Sequence, residues 1–210
     1  MTAIAPATDG TALLDREKRG MQQSTGKDAA RPLPEYLTAS EIGVMLDCAP
    51  HAELRLLMLI QWRSGLRISE ALALTWADIQ PDDDNPTVRV RQGKGKRPRM
   101  VPLHPELRSA LGLVAGYQRP RLHERVVAYD RSTAFRWTKA ALQRAVERGQ
   151  LTEGRDVGTH TFRHSYARQL LMHGIPINHL GKWLGQAHID HTLVYLKLLP
   201  DPAGSLATVP

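Results

Sequence analysis

Residues 64–72 read Ser-Gly-Leu-Arg-Ile-Ser-Glu-Ala-Leu, and they mark a change of direction in the chain. Leucine and isoleucine are so frequent in the preceding residues 52–62 that we predict a buried central helix there, which the Ser-Gly pair breaks. Arg67 stands where the following loop becomes a helix. Glu70 comes one turn later, close enough to hold the Arg67 guanidinium by paired hydrogen bonds. Taken alone, this pair favours an ordinary ion pair at a helix start.

The rest of the chain is patterned mainly for helix, with one hairpin. Thr38 and Glu41 have the spacing of a capping box before an apolar period, which predicts the first helix. Alternating residues predict two strands joined by a Gly-Lys turn. The predicted strands are 87–91 and 99–103, and the further predicted helices are 68–74, 105–117, 132–148, 159–173, 177–184 and 191–198. These elements predict an α+β domain that is mainly α-helical and has a small antiparallel β-sheet.

Composition limits the class of partner. The 210 residues carry a formal net charge of +7 and a pI near 9.9, which favours a polyanion such as nucleic acid or an anionic membrane surface. Cys48 is the single cysteine, so an internal disulfide is impossible and a reducing compartment fits. Since neither a signal peptide nor a membrane-length apolar stretch is present, we predict a soluble, cytoplasmic protein that does not act at a membrane.

The apolar pattern also predicts how the chain is divided. Residues 1–34 lack an apolar period and are expected to form a disordered or weakly ordered arm. Residues 35–198 are expected to form one ordered domain, because the helix and strand patterns all lie there. Residues 199–210 contain several prolines and are expected to form a short tail.

The predicted hairpin is strongly basic and contains no acidic residue between positions 89 and 103. A hairpin with this charge is suited to contact the phosphate backbone of DNA, and its Gly-Lys tip could place one ammonium group in a site. The alternative is a solvated edge strand protected by charge, and we favour binding. The six cations are Arg89, Arg91, Lys94, Lys96, Arg97 and Arg99.

A second basic group lies at 160–164, His-Thr-Phe-Arg-His. On a helix, His160, Arg163 and His164 share one face, and Phe162 points away toward the core. Two imidazoles and a guanidinium on one face indicate a site for an oxyanion or phosphate. Although the two histidines are four residues apart, the arginine beside them would repel a cation, so we predict no metal site.

Together these segments resemble the tyrosine recombinase, or phage integrase, family. Residues 65–72 resemble its first arginine box, 93–103 its catalytic-lysine hairpin and 160–164 its histidine–arginine box. The segment Leu184-Gly185-Gln186, followed by Thr192 and Tyr195, resembles its last box and nucleophile. Each box alone is weak evidence, but four in the family's order are strong evidence. The likeness covers residues 35–198 and implies an integrase-like catalytic domain.

The resemblance implies a role for each box. Tyr195 would attack a DNA phosphodiester and form a 3′-phosphotyrosyl bond, whose energy lets a second strand reseal without ATP. Arg67 and Arg163 would bind the non-bridging oxygens of the phosphate. Lys94 would protonate the leaving 5′ oxygen, and His160 would assist the proton transfer of the tyrosine and support the phosphate. The implied reaction is site-specific DNA integration, excision or inversion.

The same resemblance implies the partners. No cofactor is expected, because fixed cationic donors can stabilise the transition state of phosphoryl transfer without a metal. The implied partner is double-stranded DNA, bound by a tetramer, with the free protein a monomer. DNA-bending or directionality proteins are the implied helpers.

The sequence departs from the family at two places. Gln186 stands where the family has a histidine that donates a hydrogen bond to the phosphate. The resemblance implies this catalytic role for Gln186, whose neutral amide can donate the hydrogen bond but carries no charge. His188 is an alternative donor two residues later; with Glu70 and His164 it completes the predicted supporting residues. Most relatives also carry a helical core-binding domain where this chain has residues 1–34. The chain therefore compares in size with fimbrial-switch invertases, or corresponds to a remnant of a longer integrase.

Two other functions remain open from the sequence. One is a DNA-binding accessory protein that keeps the fold and has weak or no catalysis. Gln186 and the lack of a core-binding domain in this sequence favour it. The other is a type IB topoisomerase-like activity, which uses the same chemistry and needs no specific site.

Overall fold

The computed structural model describes residues 33–81, 84–91 and 98–200. This part of the chain forms a mainly helical domain with a small antiparallel sheet, as predicted. Its helices are α1 (Ala39–Asp47), α2 (Ala52–Ser64), α3 (Ile68–Ala73), α4 (Pro105–Gln118), α5 (Arg131–Glu147), α6 (Thr161–Met172), α7 (Ile177–Leu184) and α8 (Asp190–Leu193). Its strands are β1 (Ile79–Gln80), β2 (Thr87–Val90) and β3 (Arg99–Pro102), and 3₁₀ turns occur at Trp76–Asp78 and Val194–Leu198. No helix among these residues is both long and apolar enough to cross a membrane.

Helix α2 lies at the centre of the core, which confirms the predicted buried helix. Leu54, Met58 and Ile60 are among its fully buried side chains. The helix continues through Ser64, two residues beyond the predicted end, and the Ser64 hydroxyl donates to the Ile60 carbonyl at 2.5 Å. A serine that bonds back to the preceding turn is compatible with a helix, so the break falls one residue later.

Gly65 ends α2 in the left-handed conformation, with φ of 63°. A β-carbon at this position would lie 2.3 Å from Cδ1 of Tyr166 on α6. Both the backbone angle and the close approach of α6 therefore require glycine here. The consequence is that the loop 65–67 runs directly over α6, where the predicted site residues lie.

The three strands pair in the order β1-β2-β3, all antiparallel. Val88 of β2 pairs with Val101 of β3, and both are buried against the helices. The predicted hairpin is confirmed for these two strands, each one residue shorter than expected. Strand β1 was not expected, because two residues are too few to show an alternating pattern. The turn of the hairpin, residues 92–97, lies outside the described residues.

The segment that carries Tyr195 differs from the prediction. Instead of one helix over 191–198, α8 is followed by a 3₁₀ turn that closes through the Leu199 N–H and the Leu196 carbonyl at 3.1 Å. Leu199 precedes Pro200 and is extended, since proline disfavours a helical residue before it. Three residues per turn place Tyr195 and Leu198 on the same side, and both are buried.

The first described residues are attached to α6 and to the loop before it. The Leu37 N–H donates to the buried Ser165 hydroxyl at 2.8 Å, and Arg155 binds the carboxylates of Glu35 and Glu41. The Thr38 capping box of α1 is present, as predicted. The predicted arm 1–34 lies almost wholly outside the described residues, and so does most of the tail 199–210.

Replacement of Gly65 by alanine should destabilise the domain strongly. The left-handed backbone alone costs about 1–3 kcal/mol for a residue other than glycine, and the β-carbon would also displace Tyr166. Urea unfolding measures the loss. Gly112→Ala is the matched control: it lies inside α4 with open space around its β-carbon, and should be neutral or stabilising by up to about 1 kcal/mol. Equal midpoints for both variants would contradict this account.

Candidate active site

Arg163 lies at the bottom of the site and is held by backbone carbonyls. Its side chain extends from α6, is only 4% exposed, and donates through Nη1 to the Gly65 carbonyl at 2.6 Å. Through Nη2 it donates to the Leu184 carbonyl at 2.7 Å. Burial, and then the charge of Arg67, lower the pKa of Arg163 to about 10. The guanidinium therefore stays charged at neutral pH in a fixed orientation.

Glu70 brings the arginines together. Its carboxylate accepts from the Arg67 backbone N–H at 2.8 Å and from the Arg67 guanidinium at 3.1 Å, which is the predicted pair. It also accepts two hydrogen bonds from Arg99, at 2.9 and 2.8 Å, and lies 3.9 Å from Nη1 of Arg163. Burial acts to raise the pKa of Glu70, but the hydrogen bonds from Arg99 and Arg67 and their charges hold it below its ordinary value.

Arg99 does not occupy the position expected of a DNA contact. Its side chain is 9% exposed, it forms the paired ion pair with Glu70, and its Nε donates to the Trp183 carbonyl at 2.7 Å. A β-carbon at Gly185, whose φ is 63°, would lie 2.8 Å from this guanidinium. Arg99 therefore links β3 to the end of α7, and its predicted contact with DNA remains a prediction. A buried carboxylate on α3 draws it inward, since a buried charge requires a partner.

The three guanidiniums and the one carboxylate leave a net charge of +2 in this cluster, composed of Arg67, Glu70, Arg99 and Arg163. Arg67 is the member that solvent reaches, with 37% of its side chain exposed. Its Nη1 also approaches the Leu184 carbonyl at 3.4 Å. The arrangement can bind an anionic oxygen group, because the charge is preorganised and Arg67 is exposed to solvent.

The exposed arginines of the hairpin bind an aspartate that lies before the hairpin in the chain. Arg89 and Arg91 both donate through Nε to the buried Asp78 carboxylate, at 3.2 and 2.7 Å. Both side chains remain accessible beyond this contact. Burial acts to raise the pKa of Asp78, but hydrogen bonds from Thr75 and from both arginines lower it overall. Lys94, Lys96 and Arg97 lie outside the described residues, so their predicted roles remain predictions.

Tyr195 lies beside the arginine cluster and is only 3% exposed. Burial raises the pKa of Tyr195, while the charge of Arg163, a hydrogen bond from it, and the charge of Arg67 act in the opposite direction. The histidine nitrogen within hydrogen-bonding distance of its hydroxyl is Nδ1 of His164, at 3.2 Å. Burial, followed by the charges of His160 and Arg163, lowers the pKa of His164 to about 4, so the imidazole is neutral at pH 7.

His160 occupies a different position from His164. It precedes the first turn of α6, is exposed, and lines a groove of about 610 Å³ together with Arg131, Phe135 and His164. Partial burial of its ring, followed by the charges of Arg131, Arg163 and Arg67, lowers the pKa of His160. Phe162 is fully buried, as predicted. Residues 160–164 thus do not present their basic side chains on one surface: Arg163 is buried, His164 is half-buried and His160 is exposed. No group of three His, Cys, Asp or Glu side chains within the described ranges could hold a metal ion.

Gln186 makes contacts within its own loop. Its amide nitrogen donates to the His191 carbonyl at 3.3 Å, and its amide oxygen accepts from the Thr192 hydroxyl. These bonds tie the end of α7 to α8, which leads to Tyr195. His188 is exposed and its ring lies 5.9 Å from that of His191.

Sequence reasoning missed several parts of the site for a common reason. The carbonyls of Gly65 and Leu184 orient Arg163, and that of Trp183 orients Arg99, but a backbone carbonyl has no signal in the sequence. Arg131 was also missed, since a lone arginine at a helix start is an ordinary surface residue. Only the folded structure distinguishes these carbonyls and Arg131 from the other carbonyls and surface arginines of the chain.

Solved structures of other proteins share this fold. The XerH site-specific recombinase, bound to palindromic difH substrate in a post-cleavage complex, superposes with a TM-score of 0.68 at 21% identity, over 88% of this chain and 55% of that one. The catalytic domain of bacteriophage HP1 integrase superposes with a TM-score of 0.60 at 26% identity, over 83% of this chain and 94% of that one.

Sequence comparison places the chain in a family. The phage integrase family model matches residues 35–201, and the chain belongs to this family. A tyrosine recombinase of Thermosipho africanus is 32% identical over 79% of this chain and 58% of its own length. A probable site-specific recombinase in the afa region of Escherichia coli is 31% identical over 97% and 84%. The chain thus spans about three fifths of the length of the Thermosipho africanus relative and 84% of the length of the Escherichia coli relative.

The contribution of Glu70 to stability should depend on pH. Because the pKa of Glu70 is lowered by folding, its ionised form stabilises the native state above the ordinary value of 4.5, and this contribution is lost as the pH falls through the lowered value. Glu70→Gln should cost about 3 kcal/mol at pH 7, as when one partner of a buried ion pair is removed. The difference from wild type, measured by urea unfolding, should shrink below pH 4.5. Glu153→Gln, on an exposed loop, is the matched control and should leave the free energy of unfolding at pH 7 unchanged.

Proposed function

We propose that this protein carries out site-specific DNA recombination, cleaving and rejoining strands through a 3′-phosphotyrosyl intermediate at Tyr195. One observation carries the proposal: a buried phenol lies beside a cluster of net charge +2, built from segments far apart in the chain. The convergence of Arg67, Arg163 and Tyr195 supports the roles that the family resemblance implies. Membership in the phage integrase family, and relatives named tyrosine recombinases, support the reaction class.

The chemistry follows from the charges in the cluster. A DNA phosphodiester carries one negative charge, and attack by the Tyr195 hydroxyl makes the reacting phosphoryl group more negative in the transition state. Arg163, fixed by two carbonyls, and Arg67, the solvent-exposed member of the cluster, supply donors for two non-bridging oxygens. Because these donors are already oriented, little reorganisation is needed when charge develops.

The remaining roles belong to the same proposal. Lys94 protonates the leaving 5′ oxygen, and His160 contacts the phosphate from the groove in front of α6. Gln186 positions the segment that leads to Tyr195, which is supported by its bonds to the α8 turn. His188 is the alternative donor to the phosphate. The DNA backbone contacts come from exposed hairpin cations: Arg89, Arg91, Lys96 and Arg97.

The domain layout and partners are proposed as follows. Residues 35–198 form the catalytic domain, 1–34 an arm and 199–210 a tail, an arrangement supported by the family match over 35–201. The partner is double-stranded DNA, which is supported by the XerH complex with its difH substrate. The active assembly on DNA is a tetramer, the free protein is monomeric, and the reaction takes place in the cytoplasm with DNA-bending or directionality proteins as helpers.

A covalent trap tests the function across many candidate target sequences at once. A pool of nicked duplexes with a randomised core is incubated with the protein, and SDS-resistant protein–DNA adducts are isolated and sequenced. Wild type should yield adducts enriched in one core sequence, and Tyr195→Phe should yield none. Tyr117→Phe, at a fully solvent-accessible tyrosine of α4, should behave as wild type. An adduct that persists in Tyr195→Phe would exclude this nucleophile. Binding without any adduct would indicate an accessory protein, and adducts without sequence enrichment a topoisomerase-like activity.

Arg67 offers a prediction that separates catalysis from DNA binding. Arg67→Lys keeps the charge but loses the planar fork, so adduct formation in a single turnover should slow by about 100-fold. DNA affinity in a mobility-shift assay should change much less. Arg121→Lys, in the exposed loop after α4, is the matched control and should leave both quantities unchanged. A cleavage rate of Arg67→Lys within about twofold of wild type would remove Arg67 from the phosphate site.

A further inference from the structure

The turn that carries Tyr195 is fastened to α6 at its last residue. Arg168 of α6 donates through Nε to the Leu198 carbonyl at 2.9 Å, and Leu198 ends the 3₁₀ turn three residues after Tyr195. The last carbonyls of a helical turn have no partner within it, so a guanidinium at this end supplies a missing donor. Building on the proposed nucleophile, we propose that Arg168 is a positioning residue, which holds Tyr195 beside the arginine cluster through the Leu198 carbonyl.

Arg168 is itself held by the first described segment of the chain. Its guanidinium carbon lies 4.4 Å from the ring centroid of Tyr36, which is the geometry of a cation–π contact. The backbone of this segment is anchored in turn: the Tyr36 carbonyl accepts from Arg155 at 2.5 Å, and the Leu37 N–H donates to the Ser165 hydroxyl on α6 at 2.8 Å. The half-buried guanidinium therefore has two partners, an aromatic face and a carbonyl, that restrict its orientation.

The 3₁₀ turn needs such support because it is short. It has five residues and follows α8, which has four. Segments of this length are not stable by themselves, since they form too few hydrogen bonds to offset the conformational entropy that is lost. The position of Tyr195 therefore depends on contacts with the rest of the domain. Arg168 supplies one of these through the backbone, and the buried side chains of Tyr195 and Leu198 supply others.

Helix α6 supports both the arginine cluster and the nucleophile. Arg163, in the cluster, and Arg168 are five residues apart on this helix, which is about 7.5 Å along its axis. Because a helix is rigid over this distance, the hydrogen bond to Leu198 sets how far the turn lies from the cluster. In-line attack is sensitive to this distance, since a misplacement of about 1 Å can slow a reaction by about 100-fold. One helix therefore positions the phosphate site and Tyr195 relative to each other.

The charges around Arg168 argue against a direct contact with DNA. Arg168 lies in a groove of about 990 Å³, and the described residues that line it include four carboxylates and three cations. Two of the carboxylates, Glu35 and Glu41, are paired with Arg155. A DNA backbone is attracted to surfaces with an excess of positive charge, and this groove has no such excess. Arg168 is therefore expected to affect the nucleophile and not the affinity for DNA.

The first measurement separates the rate of cleavage from the binding of DNA. Arg168→Met keeps an unbranched side chain and removes its donors and its charge. Single-turnover adduct formation at saturating DNA should slow by about 30-fold, because the turn is then held less precisely. DNA affinity in a mobility-shift assay should change by less than about twofold. Arg144→Met, at an exposed arginine of α5, is the matched control and should leave both quantities unchanged.

The second measurement tests whether Tyr36 acts through Arg168. Tyr36→Leu keeps an apolar side chain but removes the aromatic face, and should slow adduct formation by about fivefold. In the double variant the rate should equal that of Arg168→Met within about twofold, because no guanidinium is left for the ring to orient. Effects that multiply in the double variant would overturn the coupling between the two residues.

A spectroscopic measurement on the DNA-free protein distinguishes a displaced nucleophile from a general loss of stability. With 3-fluorotyrosine incorporated at position 195, the wild type should give one narrow ¹⁹F resonance, and Arg168→Met should give a broadened or a second resonance. The spectra are compared at a temperature where circular dichroism shows that both proteins are folded. Slow cleavage by Arg168→Met with an unchanged ¹⁹F spectrum would overturn the positioning role.

Three further outcomes decide between this proposal and its alternatives. A cleavage rate of Arg168→Met within about twofold of wild type would remove Arg168 from the positioning of Tyr195. A large fall in DNA affinity, with an unchanged rate at saturating DNA, would make Arg168 a DNA contact instead. Absence of any wild-type adduct, together with the expected ¹⁹F change in Arg168→Met, would contradict the proposed function and still support the positioning of Tyr195 by Arg168.

Discussion

The Glu70 carboxylate is the constraint on which the rest of the site depends. Three guanidinium groups close to one another would repel, and burial would make that repulsion stronger. Glu70 binds Arg67 and Arg99 directly and lies 3.9 Å from Arg163, so the cluster is stable with a net charge of +2. The same carboxylate joins α3 to β3, which makes the sheet and the helices one support for the site.

Backbone carbonyls provide the second constraint. Arg163 is oriented by the carbonyls of Gly65 and Leu184, which come from the ends of α2 and α7. Each of these helices ends at a glycine in the left-handed conformation, so the chain turns sharply and its last carbonyls point into the site. The orientation of Arg163 is therefore set by the ends of two helices.

The sequence predicted some elements well because their signals are local. Helix α7 was predicted with its observed bounds, since an apolar face lies between a Gly-Ile-Pro break and a glycine. The basic hairpin and the capping box of α1 were also recognised. Strand β1 is too short to show a pattern, and the end of the helix predicted over 191–198 tightens into a 3₁₀ turn before Pro200. These differences arise where a proline or a neighbouring strand overrides the local periodicity.

By itself the sequence determined most of the elements, the order of the boxes, and the candidates Arg67, Arg163 and Tyr195, because those depend on periodicity and on residue types at fixed spacing. Tertiary structure alone decided which partners meet. Arg99 turns inward to Glu70, 29 residues away, and His164 instead of His160 reaches Tyr195. Such choices depend on the packing of α6 against distant segments and on the need of each buried charge for a partner, neither of which is local in the chain.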